Sequence, residues 1–248
     1  MEFFAGKLLG FVMILTRVSA FLATAPIFSW IAIPVRIKVA IAMLSTIFFA
    51  MIIPSPASAD SIFSVILLLI NEAVYGIALG LATMLLYSVV KISARIAERQ
   101  MGMAMAEVMD PFTGERAQPI AMIMEIIFIL LLLSVNAHHL FLQIISRSFE
   151  IFPPGSIPEI AQLTNGIVSA GSAMLMLALK MAVPFVAVFM ILTVVLGILA
   201  RIAPEMNILF LSFPLRIGLG LIMVIYFVPF INNYITQFGE WLNKLLPL

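Results

Sequence analysis

Polar positions are sparse along this chain, and they cut it into six apolar regions: residues 8–25, 37–53, 62–90, 120–135, 167–200 and 208–231. Leu, Ile, Ala, Met and Phe dominate each region, and no strand-like alternation of apolar and polar residues competes. A spanning helix needs about 20 apolar residues, and each region reaches or approaches that length. A backbone in lipid must satisfy its own polar groups, which forces such runs into helix. The pattern predicts an all-α fold of membrane-associated helical hairpins, forming one domain over residues 1–248.

The breaks are chemically clear. Pro26 and Pro34 bracket a short turn holding Trp30, whose amphipathic ring suits a membrane interface. Pro54 and Pro56 stop the second region, and Asp60 or Ser61 can cap the helix that follows. Pro153, Pro154 and Gly155 end the extension of the fourth region, and Ser156-Ile157-Pro158-Glu159 restarts a helix. Pro204 divides the last two regions, and no internal repeat is visible. Two runs exceed a simple span. Residues 62–100 as one helix would reach about 58 Å at about 1.5 Å per residue, against a hydrocarbon core of about 30 Å. Residues 167–200 are similarly long, with Pro184 as the expected kink. Either these helices project well beyond lipid or each folds back as two shorter arms.

Composition sharpens the membrane reading. Hydrophobic residues make up 64% of the 248 and charged residues 10%, where soluble domains average about 45–50% and 25%. The charges that remain are badly placed for lipid: Arg17, Lys38, Glu72, Glu125, Lys180 and Arg216 lie within or at the ends of the apolar runs. Each costs about 2.5–3.5 kcal/mol at the centre of a lipid-facing helix. Several together predict helices that bury charge against protein, in an assembly or around a water-filled path. The net charge of +1 and scattered Lys and Arg give no nucleic-acid signal. With no cysteine, disulfide and thiolate chemistry are excluded. The early apolar run is too long for a signal h-region of roughly 7–15 residues, and Glu2 precedes its one early cation, Lys7. It is read as a retained anchor or hairpin arm. Counting Lys7, Arg147 and Lys244 against Arg36, Lys38, Lys91, Arg95, Arg99, Arg116 and Arg201 places both termini outside the cytoplasm if six spans are present.

Candidate chemistry is limited. His138 and His139 are adjacent, so they point to different helix faces and make a poor metal pair; an interfacial pair near a helix end fits them better. No nucleophile elbow, phosphate-binding glycine loop or HExxH motif is present, so the chain reads as a non-enzyme with no cofactor and no metal site. Glu72 admits two readings: a proton-relay carboxylate, or a buried acid paired with Arg17, Lys180 or Arg216. Gly76 and Gly80 form a G-x-x-x-G, and Gly197, Gly218 and Gly220 add similar notches, so helix backbones can approach there. Met101, Met103, Met105 and Met109 are flexible side chains that fill irregular space. With the turn signalled by Asp110-Pro111 and Gly114, they form either a deformable seal or a helix end with ordinary Met packing and a solvated loop.

Residues along nearly the whole chain also fit a known pattern. Arg17 is followed by Ala23-Thr24-Ala25-Pro26-Ile27-Phe28 and Ile33-Pro34-Val35-Arg36. Glu72, Gly76 and Gly80 precede Gly102 and Met109-Asp110-Pro111, then His138-His139, Ser148-Phe149 and Pro153. Ala200-Arg201-Ile202-Ala203-Pro204-Glu205-Met206-Asn207 leads to Phe213-Pro214-Leu215-Arg216-Ile217-Gly218. In order and spacing the chain resembles the FliR family of flagellar export-gate proteins, related to the SpaR and YscT proteins of injectisomes. It departs from the family at Glu205, commonly Gln, at Arg216, often Lys, and in the charged stretch of residues 112–116.

The resemblance implies a subunit like a fused FliP–FliQ pair. Such a subunit joins FliP and FliQ in a pore complex, alongside FlhB and FlhA, that secretes unfolded flagellar subunits. It implies the bacterial inner membrane, in the flagellar basal body, with part projecting to the periplasmic side. It also implies a plug for the closed channel at Asp110, Pro111, Phe112, Thr113, Gly114, Glu115, Arg116, Ala117, Gln118 and Pro119. Two rival classes remain: a secondary transporter for a small solute, using membrane carboxylates and helices broken at Pro184 and Pro214, and a structural scaffold that conducts nothing.

Overall fold

The apolar runs do form helices. The computed structural model describes residues 2–26, 28, 33–53, 61–103, 118–136, 138–156, 160–205 and 207–245. Its helices are α1 (Glu2–Thr24), α2 (Val35–Ile52), α3 (Ile62–Gln100), α4 (Pro119–Ser134), α5 (His138–Ile151), α6 (Ile160–Ile202) and α7 (Ile208–Leu245). Among the described residues there is no strand. Among the described residues five helices are long and apolar enough to cross a membrane, and the bent α4–α5 pair, counted as one span, would make a sixth.

The two over-long regions do not fold back. α3 is one helix of 39 residues, and α6 is one of 43 that continues through Pro184. α5 falls outside the six apolar regions because it is amphipathic. It buries Phe141, Ile144, Ile145, Ser148 and Phe149 and exposes Gln143, Arg147 and Glu150. That is the i, i+3, i+4, i+7, i+8 spacing of a helix with one buried face.

The chain divides into two compact units, residues 1–87 with 136–173 and 238–248, and residues 88–135 with 174–237. In the first, Met13, Val18 and Phe21 of α1 and Tyr75 of α3 are buried with Phe141 and Phe149 of α5. Phe21 meets Phe141 at 6.4 Å between ring centroids, and Phe49 meets Phe149 at 5.9 Å. In the second, Phe185 packs on Phe227 at 4.9 Å, and Phe128 of α4 meets Tyr234 of α7 at 6.0 Å. Both separations lie within the range at which aromatic pairs attract beyond simple burial.

Exposed apolar side chains occur along almost all of α6. Val168, Leu175, Leu179, Val183, Met190 and Ile202 are exposed. The first and last of these lie 34 positions apart, or about 51 Å along the helix at about 1.5 Å per residue.

Candidate functional site

In the first unit, α1 and α3 carry one acid–base pair into the core. Arg17 and Glu72 are 2% and 1% exposed, and Arg17 Nε donates to Glu72 Oε2 at 2.6 Å. The rest of both side chains is also engaged. Arg17 Nη1 donates to the carbonyls of Ser148 and Phe152 at 3.2 and 2.9 Å, and the guanidinium lies 4.7 Å from the Tyr75 ring centroid and 4.4 Å from that of Phe149. Glu72 Oε1 accepts the Gly155 N–H at 3.0 Å. A buried charge is tolerated when paired and hydrogen-bonded, and here Arg17 and Glu72 are paired and each makes further hydrogen bonds. The pair ties α1, α3, α5 and the turn after α5 together.

This arrangement selects Arg17 from the three basic candidates for Glu72. Lys180 is exposed on α6 within this chain and pairs with no carboxylate among the described residues. Arg216 is half-buried in the second unit, and its contacts there are to uncharged groups. With both carboxylate oxygens engaged and almost no exposed surface, Glu72 has the geometry of a packing element rather than of a proton relay.

Close helix approach occurs at Gly76 and Gly80. A Cβ on Gly76 would lie 2.5 Å from the Arg17 backbone oxygen and 2.9 Å from Ala20 Cβ. One on Gly80 would overlap Thr24 Oγ1 and come within 3.1 Å of the Phe21 oxygen. Gly218 does not share this role, since an added Cβ there meets nothing within 4 Å. The notch on α7 is at Gly220, two residues on and turned by about 200°. A Cβ there would lie 2.5 Å from the side chain of Met101.

Met101 is fully buried at the end of α3 and Met103 is half-buried; Met105, Met109 and residues 110–117 lie outside the described residues. The described ends of that loop are fixed within the second unit. Gly102 takes a left-handed φ of 78°, the conformation that commonly ends a helix and that glycine adopts without strain. Arg216 Nη1 donates to the Gln100 carbonyl at 3.0 Å, and Nη2 donates to Thr193 Oγ1 at 3.0 Å. At the far end Gln118 precedes Pro119, which opens α4, and the Ala121 N–H donates to buried Glu98 at 3.3 Å. Lys91 and Glu125 add a half-exposed α3–α4 ion pair at 3.2 Å, worth at most about 1 kcal/mol.

Glu98 and Thr193 were not singled out by the sequence, whereas Gly220 was among the expected notches. Pro119 marks a helix start, where an anionic cap is favoured, and that signal points towards Glu98. Arg216→Lys is expected to loosen the loop's root, because a point charge cannot span two acceptors as the guanidinium fork does. Faster proteolytic cleavage between residues 103 and 118, at unchanged yield of the chain, is the measurement.

His139 is exposed at the start of α5, after Asn136 with its φ of 55°. Among the described residues no group of three or more His, Cys, Asp or Glu side chains is placed to hold a metal ion.

Residues 8–240 match the family described as bacterial export proteins, family 1. The chain is 32% identical over 245 residues to a flagellar biosynthetic protein FliR from Bacillus subtilis (strain 168), covering 96% of this chain and 95% of that one. It is 30% identical over 234 residues to a flagellar biosynthetic protein FliR from Escherichia coli (strain K12), covering 93% and 89%. Against that of Pectobacterium carotovorum subsp. carotovorum, the figures are 29% over 220 residues, 88% and 84%.

Proposed function

This chain belongs to the bacterial export proteins, family 1, together with the FliR proteins, and we propose from that premise that it forms part of the pore through which unfolded flagellar subunits are secreted. It is a membrane component of the flagellar export apparatus. In this reading residues 1–248 act as one export-gate domain in the inner membrane, partly on its periplasmic side. FliP and FliQ share the pore complex, with FlhB and FlhA alongside.

The observation that carries the reading is the exposed apolar surface along α6. It runs about 51 Å, whereas a bilayer core covers about 30 Å. The remainder is apolar surface that needs neighbouring polypeptide, which suits an assembly subunit better than a self-contained carrier. Arg17–Glu72 and the Gly76–Gly80 notch keep the first unit rigid enough to serve as a building block.

The plug belongs to the same proposal. Residues 110–119 close the idle channel, and Met101, Met103, Met105 and Met109 seal it with flexible apolar side chains. Support comes from the loop's two fixed ends, at Arg216 with Gln100 and at Glu98 with Ala121. Deleting residues 113–118 is expected to leave assembly intact and to raise leakage of small ions, read as membrane conductance. Unchanged conductance would remove the plugging role.

Purification of a tagged chain in mild detergent tests the function itself. Two other small helical membrane proteins are expected to copurify. A stable monomer or homo-oligomer that moves a small solute on its own would establish a secondary transporter instead, and one that copurifies with nothing and moves nothing would be a scaffold.

A further inference from the structure

We propose that the α6 face around Lys180 docks a helix of a partner membrane subunit bearing a carboxylate, an inference that rests on reading the chain as an assembly subunit. Lys180 is the one charged residue in the sequence from 160 to 200. It is exposed, and so are its neighbours Leu175, Met176, Leu179 and Val183, at 57–60%. Among the described residues no carboxylate pairs with it. The described acids of its own unit are placed elsewhere. Glu98 accepts from the start of α4, Glu125 pairs with Lys91, and Glu205 lies beyond the end of α6.

A second polar group sits at the same residue. Pro184 lies inside α6 and has no N–H, so the carbonyl four residues back, that of Lys180, lacks its ordinary helical donor. Lys180 therefore presents an ammonium that seeks an acceptor and a carbonyl that seeks a donor. The side chain leans towards the N-terminal end of the helix and the carbonyl points the other way. A matching partner offers Asp or Glu opposite the ammonium, and a hydroxyl or amide opposite the carbonyl.

Neither lipid nor water alone satisfies this face. If lipid surrounds Lys180, the ammonium is stranded, because about ten residues on each side would lie within the hydrocarbon core. If the core begins after it, covering residues 181–200, then Val168, Leu175 and Leu179 face water. A water-filled lumen would solvate the ammonium and leave the four apolar neighbours uncovered. A helix covers both the apolar stripe and the charge, and helix is the form a lipid-embedded partner adopts to satisfy its own backbone.

The test uses the tagged full-length chain copurified with its partners from membranes in mild detergent. A photo-crosslinker at Leu179 identifies what covers the face. Lys180→Arg is expected to retain the partners. Lys180→Glu is expected to weaken retention about a hundredfold, because it opposes two carboxylates in a desolvated contact, and Lys180→Met should weaken it less. Exchanging the crosslinked segment's carboxylate for Lys should restore retention by Lys180→Glu. Since Lys180 is exposed, the variants should keep wild-type helical content, which is checked by circular dichroism. Crosslinks to lipid alone, or wild-type retention by both Lys180→Glu and Lys180→Met, would overturn the inference and leave the assembly reading standing. A wild-type chain that holds no partner would remove both.

Discussion

Glu72→Leu is expected to destabilise the chain by about 3–5 kcal/mol, because it leaves the Arg17 guanidinium as an uncompensated buried charge. The leucine also removes the acceptor of the Gly155 N–H, and a buried donor left unmade costs about 1–3 kcal/mol more where the backbone cannot turn it to water. Arg17 would keep two carbonyls and two aromatic rings, contacts that soften the loss without neutralising the charge. The double variant Arg17→Met, Glu72→Leu should recover part of the stability, since replacing both partners with apolar groups of similar size is often near neutral. Recovery stays partial because the Ser148 and Phe152 carbonyls lose their donor. Thermal midpoints and yields in detergent measure both steps. A Glu72→Leu chain that folds and assembles normally but fails in export would favour the proton-relay reading. A double variant no better than the single would show that the pair is not the stabilising unit.

That pairing shows where the sequence stops being legible. Arg17 and Glu72 are visible as misplaced charges, but they are separated by 55 positions, and helical periodicity relates only neighbours within a few turns. Three cations fitted equally until packing brought one to the acid. The apolar regions were legible because lipid leaves a backbone few choices. α5 was not, since its exposed Gln143, Arg147 and Glu150 dilute the apolar signal to one face. Whether α3 turns back was undecidable for a related reason. Length against the bilayer left both a projecting helix and two arms open, and the glycines at 76 and 80 admit the backbone of α1 within one unbroken helix. Gly218 and Gly220 read alike in sequence, yet a two-residue step reverses the face, and only Gly220 meets a neighbour closely. The described ends of the connection between α3 and α4 depend on Glu98 and Arg216 contacts that join distant positions.

Gly76→Ala is expected to lower stability by about 2 kcal/mol, although alanine is the better helix former. In an open helix the change gains about 1 kcal/mol through backbone propensity. Gly171 supplies that reference, since a Cβ there meets nothing within 4 Å, and Gly171→Ala should raise the thermal midpoint slightly. At Gly76 the new methyl would stand 2.5 Å from the Arg17 carbonyl oxygen. That atom belongs to a helix backbone and cannot rotate away as a side chain would. Overpacking of this kind costs about 1–3 kcal/mol, and more when backbone must move. The upper part of that range exceeds the propensity gain, so the net sign is a loss. Separation of α1 from α3 would also pull on Arg17, whose own carbonyl is the obstructing atom, so the cost should be coupled to that of Glu72→Leu. Combining the two variants should therefore cost less than the sum of their separate effects. Equal gains from Gly76→Ala and Gly171→Ala would mean that α1 and α3 are not held at this contact.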